Sequence, residues 1–164
     1  MKEVKLFLTD VDGCLTDAGM YYSAEGEVMK RFCTYDGMGM VLLQQAGVPC
    51  GILTSEQSLI VKARAEKLKL DFLYLGVGCK DRQGSLTKLG AVQKICDKLG
   101  ITLAEVCYVG DDINDIDILS AVGYPCCPPN ARPEVKAIKG IKVLKTPGGQ
   151  GAVREIADEI LKEL

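Results

Sequence analysis

The ten residues VKLFLTDVDG, Val4 to Gly13, place an acidic turn directly after a short apolar run. The run Val4–Leu8 predicts a buried β-strand, because its length and composition suit a strand inside a sheet. Asp10 follows at the end of this strand, and Asp12 lies two residues further on, with the same face parity. The stretch therefore predicts a strand that carries two carboxylates at its carboxyl end.

Short apolar runs and helical patterns alternate along the rest of the 164 residues. The further predicted strands are Val48–Leu53, Phe72–Tyr74, Val106–Val109 and Ile141–Leu144. The predicted helices are Met38–Ala46, Ser58–Leu68, Leu89–Leu99, Ile113–Val122, Val135–Ile138 and Ala152–Leu164. Strands that alternate with helices imply an α/β fold, a Rossmann-like parallel sheet with helices on both faces. The length and the lack of a dividing linker predict one domain over residues 1–164.

One segment interrupts this alternation. Met20–Tyr22 and Val28–Phe32 flank a polar turn, which predicts a β-hairpin inserted after the first strand. A two-stranded hairpin is only marginally stable alone. We therefore expect it to pack on another surface, such as a second subunit.

The composition excludes several classes of function. The chain has no histidine, so Ser-His-Asp catalysis, Cys-His catalysis and His-ligated metal sites are excluded. Its 20 basic and 22 acidic residues give a net charge of -2, without the basic excess of a nucleic-acid binder. No apolar run approaches the roughly 20 residues of a membrane span. We therefore expect neither a nucleic acid nor a membrane as partner.

The eight cysteines are predicted to be free thiols. No C-x-x-C pair occurs, which argues against a structural zinc site, and most lie in or beside apolar runs. The N-terminal residues lack the pattern of a secretory signal. A reducing cytoplasm is therefore the expected location.

Polar clusters follow three of the predicted strands. They are Asp10–Gly13, Thr54–Glu56 and Gly110–Asp115. In an open parallel sheet, ligands bind beyond the carboxyl ends of the strands. We therefore expect the three clusters to converge in one crevice.

The aspartates of these clusters indicate a metal-assisted reaction. Asp10, Asp12 and Asp111 would concentrate negative charge, which Mg2+ can compensate while it also binds a substrate phosphate. A carboxylate such as Asp10 can attack phosphorus and form an aspartyl phosphate. Asp12 can give a proton to the leaving oxygen and later take one from water. Thr54 and a lysine can hold the phosphoryl oxygens.

Two motifs resemble those of the haloacid dehalogenase superfamily. DVDGCLTD at Asp10–Asp17 is similar to its first motif, and GDDIND at Gly110–Asp115 is similar to its fourth. Nearly end to end, the chain is similar to the sugar-acid phosphatases that lack a cap domain. These are the 3-deoxy-octulosonate 8-phosphate phosphatases and the nonulosonate 9-phosphate phosphatases. The likeness includes Phe32–Gly37, Arg64–Leu68 and Gly148–Glu155.

This resemblance implies a role for each site residue. Asp10 would be the nucleophile and Asp12 the general acid/base. Mg2+ would be bound by Asp10, the carbonyl of Asp12 and Asp111. Behind these ligands would lie Asp112, Asn114 and Asp115. The residues implied to bind substrate are Thr34, Thr54, Ser55, Glu56, Arg64 and Lys67.

The family's phosphate-binding lysine has two candidates here, since the segment between residues 76 and 89 is longer than the family motif. Lys88 begins a predicted helix and keeps the family's position, and a helix start favours anion contacts. Lys80, followed by Asp81, mimics the local motif. We predict Lys88, with Lys80 as the alternative.

The residues after Thr54 bear on the substrate. The octulosonate branch typically has Gly-Arg there, whereas this chain has Ser55-Glu56 and resembles the nonulosonate branch. Arg64 can clamp a carboxylate through two hydrogen bonds, and Glu56 can accept hydrogen bonds from a sugar. We therefore favour a nonulosonate 9-phosphate over 3-deoxy-octulosonate 8-phosphate.

The family resemblance also implies an assembly and an alternative function. Related proteins form homotetramers in which hairpins associate and a neighbouring subunit helps to close the site. The alternative is a non-catalytic oligomerisation module, like the domain fused to animal acylneuraminate cytidylyltransferases. A receiver-type signalling domain with a lasting aspartyl phosphate is a further alternative. The presence of both Asp10 and Asp12 favours a phosphatase.

Overall fold

The fold is built on a parallel sheet that a computed structural model describes over residues 4–78 and 86–164. The strands are β1 Leu6–Thr9, β2 Tyr21–Ser23, β3 Gly26–Met29, β4 Cys50–Thr54, β5 Phe72–Leu75, β6 Val106–Val109, β7 Tyr124–Cys127 and β8 Lys142–Val143. Six of them form one sheet in the order β5-β4-β1-β6-β7-β8, in which every pair is parallel. The central pair of neighbours, β1 and β6, places two of the acidic clusters side by side.

Six helices cover the sheet within the described ranges. They are α1 Thr34–Gln45, α2 Leu59–Leu68, α3 Lys88–Leu99, α4 Ile116–Leu119, α5 Pro133–Lys136 and α6 Ala152–Glu163. Short 3-10 turns at Leu103–Glu105 and Ile113–Asp115 precede β6 and α4. The side chains of Ser58 and Thr87 accept hydrogen bonds from the first turns of α2 and α3, and so fix where these helices begin.

The helices lie on both faces of the sheet, as the alternation of elements predicts. Phe7 packs in the apolar cluster that contains α1 and α6, whereas Leu6 and Leu8 pack in the cluster that contains α3 and α4. Successive side chains of a strand point to opposite faces. The α/β fold with a parallel sheet is confirmed, and the described residues contain no cap domain.

Two predicted helices differ from the observed ones by three residues or more at one end. The helix expected at Ile113–Val122 is a 3-10 turn followed by the short α4. Asp112 caps the turn, and Asp115 at its third position returns its buried carboxylate to the backbone at the start of the turn. Helix α1 begins at Thr34 rather than Met38 despite two early glycines. At Gly37 a Cβ would lie 2.4 Å from the guanidinium of Arg64, so this glycine permits a close approach.

The predicted hairpin is present as β2 and β3, an antiparallel pair outside the main sheet. Its side chains Tyr21, Tyr22, Val28 and Met29 are exposed.

The seven cysteines in the described residues are free thiols. Within the same ranges, no helix combines the length and the apolar character that crossing a membrane requires.

Candidate active site

The predicted crevice exists at the carboxyl ends of β1, β4 and β6. One pocket there is lined by Asp10, Asp12, Ala18, Thr54, Ser55, Glu56, Asp111, Asp112 and Asn114. The three polar clusters meet because parallel strands deliver their following loops to the same edge of the sheet.

Asp10 is held firmly at the end of β1. Its Oδ1 accepts a hydrogen bond from the Val11 amide at 2.7 Å, and its Oδ2 accepts one from Lys88 Nζ at 2.6 Å. Burial raises the pKa of Asp10 to about 7, and the Lys88 ammonium opposes that rise. The carboxylate therefore has a fixed orientation toward the pocket.

Lys88 is the first residue of α3 and its side chain is buried between two carboxylates. Its Nζ lies 2.6 Å from Asp10 Oδ2 and 2.7 Å from Asp115 Oδ1. Burial alone would lower the pKa of Lys88, but these two carboxylates raise it above its ordinary value, so the ammonium stays charged. Lys80, the alternative phosphate-binding lysine, lies outside the described residues, and the preference for Lys88 stays a prediction.

Asp115 organises the floor of the site. Its Oδ1 also accepts a hydrogen bond from the Tyr108 hydroxyl at 2.6 Å. Its Oδ2 accepts from the amides of Asp111 at 3.0 Å and Asp112 at 3.3 Å. The sequence analysis missed Tyr108, because a tyrosine inside an apolar strand gives no sign that its hydroxyl has a buried partner.

Three carboxylates are close enough to share a cation. Single oxygens of Asp10, Asp111 and Asp115 all lie within 4.8 Å of one another. Burial raises the pKa of Asp111 to about 8, and the charges of Asp10 and Asp115 add to that rise. Asp10 and Asp111 line the pocket, whereas Asp115 is fully buried beneath it, so Asp10 and Asp111 are the fitting ligands. This oxygen donor set fits Mg2+.

Gly13 makes room for one of these ligands. Its φ is +83°, and a Cβ at this position would lie 1.9 Å from Asp111 Oδ2. A side chain at residue 13 would therefore displace the carboxylate of Asp111 from its position beside the loop that carries Asp10.

Asp12 is oriented by a lysine that the sequence analysis did not identify. Its Oδ1 accepts a hydrogen bond from Lys30 Nζ at 2.6 Å, and the Thr16 hydroxyl lies 3.4 Å from the same oxygen. Burial alone would lower the pKa of Lys30, but Asp12 and Glu27 raise it overall, so this ammonium is also charged. The only signal in the sequence was a lysine at the end of the hairpin.

The cluster after β4 forms the opposite wall. Thr54 is buried, and its hydroxyl oxygen accepts a hydrogen bond from the Glu56 amide at 3.2 Å. Ser55 Oγ donates to the carbonyl of Val77 at 3.0 Å and accepts from Asn114 Nδ2 at 2.9 Å. Asn114 therefore bridges two loops at the pocket. The family resemblance, by contrast, implied a position behind the metal ligands. Glu56 is exposed at the rim.

Three predicted substrate contacts do not line this pocket. Thr34 is exposed at the start of α1, and Lys67 is exposed on α2. The guanidinium of Arg64 lies over the ring of Phe32, 5.7 Å from its centroid. Thus the described residues of a single chain bring Thr54, Ser55 and Glu56 to Asp10, but not these three.

Several proteins of known activity are similar in sequence to this chain. The haloacid dehalogenase-like hydrolase family matches residues 83–147. A 3-deoxy-D-manno-octulosonate 8-phosphate phosphatase of Haemophilus influenzae is 33% identical over 162 residues, which are 99% of this chain and 85% of that protein. An N-acylneuraminate cytidylyltransferase of Oncorhynchus mykiss is 36% identical over 159 residues, which are 96% of this chain but 35% of that protein.

Solved structures show the same likeness over the whole fold. The 3-deoxy-D-manno-octulosonate 8-phosphate phosphatase of Moraxella catarrhalis, in complex with a magnesium ion, a phosphate ion and the KDO molecule, superposes with a TM-score of 0.89. It is 34% identical, with 99% of this chain and 88% of that chain covered. The cobalt-bound phosphatase of Haemophilus influenzae gives a TM-score of 0.90 at 33% identity, covering 99% and 90%.

Proposed function

Because this chain belongs to the haloacid dehalogenase-like hydrolases, in the family of the 3-deoxy-D-manno-octulosonate 8-phosphate phosphatases, we propose that it hydrolyses the phosphate monoester of a 2-keto-3-deoxy sugar acid. The observation that carries this proposal is the buried Asp10 carboxylate, held by Lys88 and the Val11 amide at the pocket where three strands end. The similar phosphatase of Moraxella catarrhalis, whose structure is in complex with a magnesium ion, a phosphate ion and a KDO molecule, supports this proposal.

Asp10 is the proposed nucleophile. One of its oxygens forms a bond to phosphorus as the bond from phosphorus to the sugar oxygen breaks, which gives an aspartyl phosphate. The Lys88 ammonium and the Thr54 hydroxyl would stabilise the charge of the phosphoryl oxygens. The Ser55 hydroxyl would join them by turning away from the Val77 carbonyl, to which it donates here. Asp10 and Asp111 would hold Mg2+, which would supply further positive charge at this site.

Asp12 is the proposed general acid and base. It donates a proton to the sugar oxygen that leaves phosphorus, and it then accepts a proton from the water that attacks the aspartyl phosphate. That second displacement releases phosphate and restores the Asp10 carboxylate. Because Asp12 lines the pocket two residues after Asp10, it can reach both the leaving oxygen and the water.

For the sugar, we favour a nonulosonate 9-phosphate over 3-deoxy-octulosonate 8-phosphate. The names of the phosphatase relatives point to the eight-carbon acid. Glu56 favours the nine-carbon acid, since it lies at the rim of the pocket, where a carboxylate can accept hydrogen bonds from the far end of a longer sugar.

We also propose that the chain works as a homotetramer in the cytoplasm. Arg64 and Lys67 lie away from the pocket of their own chain, so a contact with substrate would have to come from a neighbouring subunit. The exposed apolar side chains of the hairpin support such an association.

The test is phosphate release from both sugar-acid phosphates in the presence of Mg2+. We expect turnover of both, with a higher kcat/KM for the nonulosonate 9-phosphate. Preference for the eight-carbon substrate would overturn only the assignment of the sugar. A folded protein that releases phosphate from neither substrate would favour the non-catalytic oligomerisation module. The presence of all the catalytic aspartates argues against that alternative.

A further inference from the structure

Lys30 carries a charge in a place where a charge is costly. Its side chain is 0% exposed, and its Nζ lies 2.6 Å from Asp12 Oδ1 and 2.8 Å from Glu27 Oε1. An apolar side chain of similar volume is often at least as good for stability as a buried ion pair. Stability alone therefore does not account for a lysine at this position.

The contacts of Lys30 join three parts of the fold. Glu27 belongs to β3 of the hairpin, and its second oxygen accepts a hydrogen bond from Ser58 Oγ at 2.5 Å. Ser58 caps the start of α2, because its side chain also accepts from the Val61 amide. This chain of contacts connects the hairpin and α2 to Asp12, in the loop after β1.

The two oxygens of Asp12 have different surroundings. Oδ1 has Lys30 and the Thr16 hydroxyl as neighbours, whereas no hydrogen bond from any residue of the ranges 4–78 and 86–164 reaches Oδ2. The Asp12 side chain is 25% exposed and lines the pocket. One oxygen is thus fixed by the protein, and the other is available for proton transfer.

We infer that Lys30 is a positioning residue that holds Asp12 with Oδ1 bound and Oδ2 presented to the leaving group. This inference rests on the proposed function, because it assigns Lys30 a part in the proton transfers of that reaction. The proton moves from Asp12 to the sugar oxygen as the bond from that oxygen to phosphorus breaks. Lys30 acts only through Asp12, since its buried ammonium has no access to the pocket.

The first test is the kinetics of Lys30→Met, with Lys142→Met as the matched control. Lys142 pairs with Glu159, and its side chain is 41% exposed, away from the pocket. We expect Lys30→Met to lower kcat for a sugar-acid phosphate by about 10- to 100-fold, with KM within about twofold of wild type. Lys142→Met should leave both constants unchanged.

With p-nitrophenyl phosphate as substrate, loss of the correct Asp12 orientation can be distinguished from general damage to the active site. The phenolate of this substrate leaves without a proton, so Lys30→Met should still form the aspartyl phosphate and give a burst of one phenolate per site. Hydrolysis of that intermediate needs Asp12, so the steady-state rate after the burst should be low. Lys30→Arg should recover a substantial part of kcat, because it restores a donor to Oδ1.

A double-mutant cycle decides whether Lys30 acts through Asp12. In an Asp12→Asn background, adding Lys30→Met should change the rate of p-nitrophenyl phosphate turnover by less than about twofold. Equal losses in both backgrounds, or loss of the burst, would overturn the inference while leaving the proposed function in place. A wild-type chain that releases no phosphate would overturn the proposed function and this inference with it.

Discussion

Lys88 Nζ lies 2.6 Å from Asp10 Oδ2, and both side chains are buried at the end of β1. The proposed nucleophile is therefore next to a fixed positive charge before any substrate arrives. A phosphoryl group that approaches Asp10 meets that charge without further movement of the protein, which is the arrangement that lowers a barrier most.

Removal of the ammonium should affect both rate and stability. We expect Lys88→Met to lower kcat by about 100- to 1000-fold, because it removes a charge beside the phosphoryl oxygens. The free energy of unfolding should fall by about 3 kcal/mol, since two buried carboxylates lose their partner. Steady-state kinetics and urea denaturation measure the two effects. Lys94→Met, on the exposed side of the same helix, is the control; similar losses in both variants would contradict the role of Lys88.

Asp10→Asn should abolish turnover. The amide keeps the shape of the side chain but is a poor nucleophile, so we expect kcat to fall by more than about 1000-fold. Mass spectrometry of enzyme quenched during turnover should show an added phosphoryl group in the wild type only. The exposed Asp117 offers the control substitution Asp117→Asn. Retention of activity by Asp10→Asn would refute the mechanism.

Gly13→Ala should weaken metal binding. The added Cβ would meet Asp111, so the Mg2+ concentration that gives half-maximal activity should rise by about tenfold or more, the range seen when the surroundings of metal ligands are disturbed. Gly26 has a φ of +120° with nothing within 4 Å of a Cβ, so Gly26→Ala controls for backbone strain. An equal Mg2+ requirement in the two variants would show that the contact with Asp111 is unimportant.

Stability without metal should fall as the pH rises. The pKa values of Asp10 and Asp111 are raised from 3.8 to about 7 and about 8, so the folded state binds more protons than the unfolded state between about pH 4 and pH 8. In a chelator, the melting temperature should therefore decrease across this range. Mg2+ should raise it most near pH 8, where both carboxylates are charged. A melting temperature independent of pH, with and without Mg2+, would contradict this account.

Most of the strands and helices and the main carboxylates could be predicted from the sequence, because their signals are local; β7, which contains a proline, is missing from the predicted strands. Asp10 and Asp111 follow directly on short apolar runs, and parallel strands bring such positions together. Lys30 and Tyr108 could not be predicted, since each acts on a partner that the fold brings to it through space. Arg64 packs over Phe32 within its own chain, and the helical pattern around it does not reveal which neighbour it meets, so its contact with substrate stays a prediction.

The position of Lys88 at the first turn of α3 has a consequence for how this protein could diverge. Its ammonium is fixed from the inside, by Asp10 and Asp115, and its backbone is fixed by the Thr87 cap. Of these contacts, the cap comes from the residue directly before α3, and the two carboxylates come from other parts of the fold. A change of length before Thr87 would leave these three contacts in place, so a connection longer than the family motif is compatible with an unmoved reactive centre.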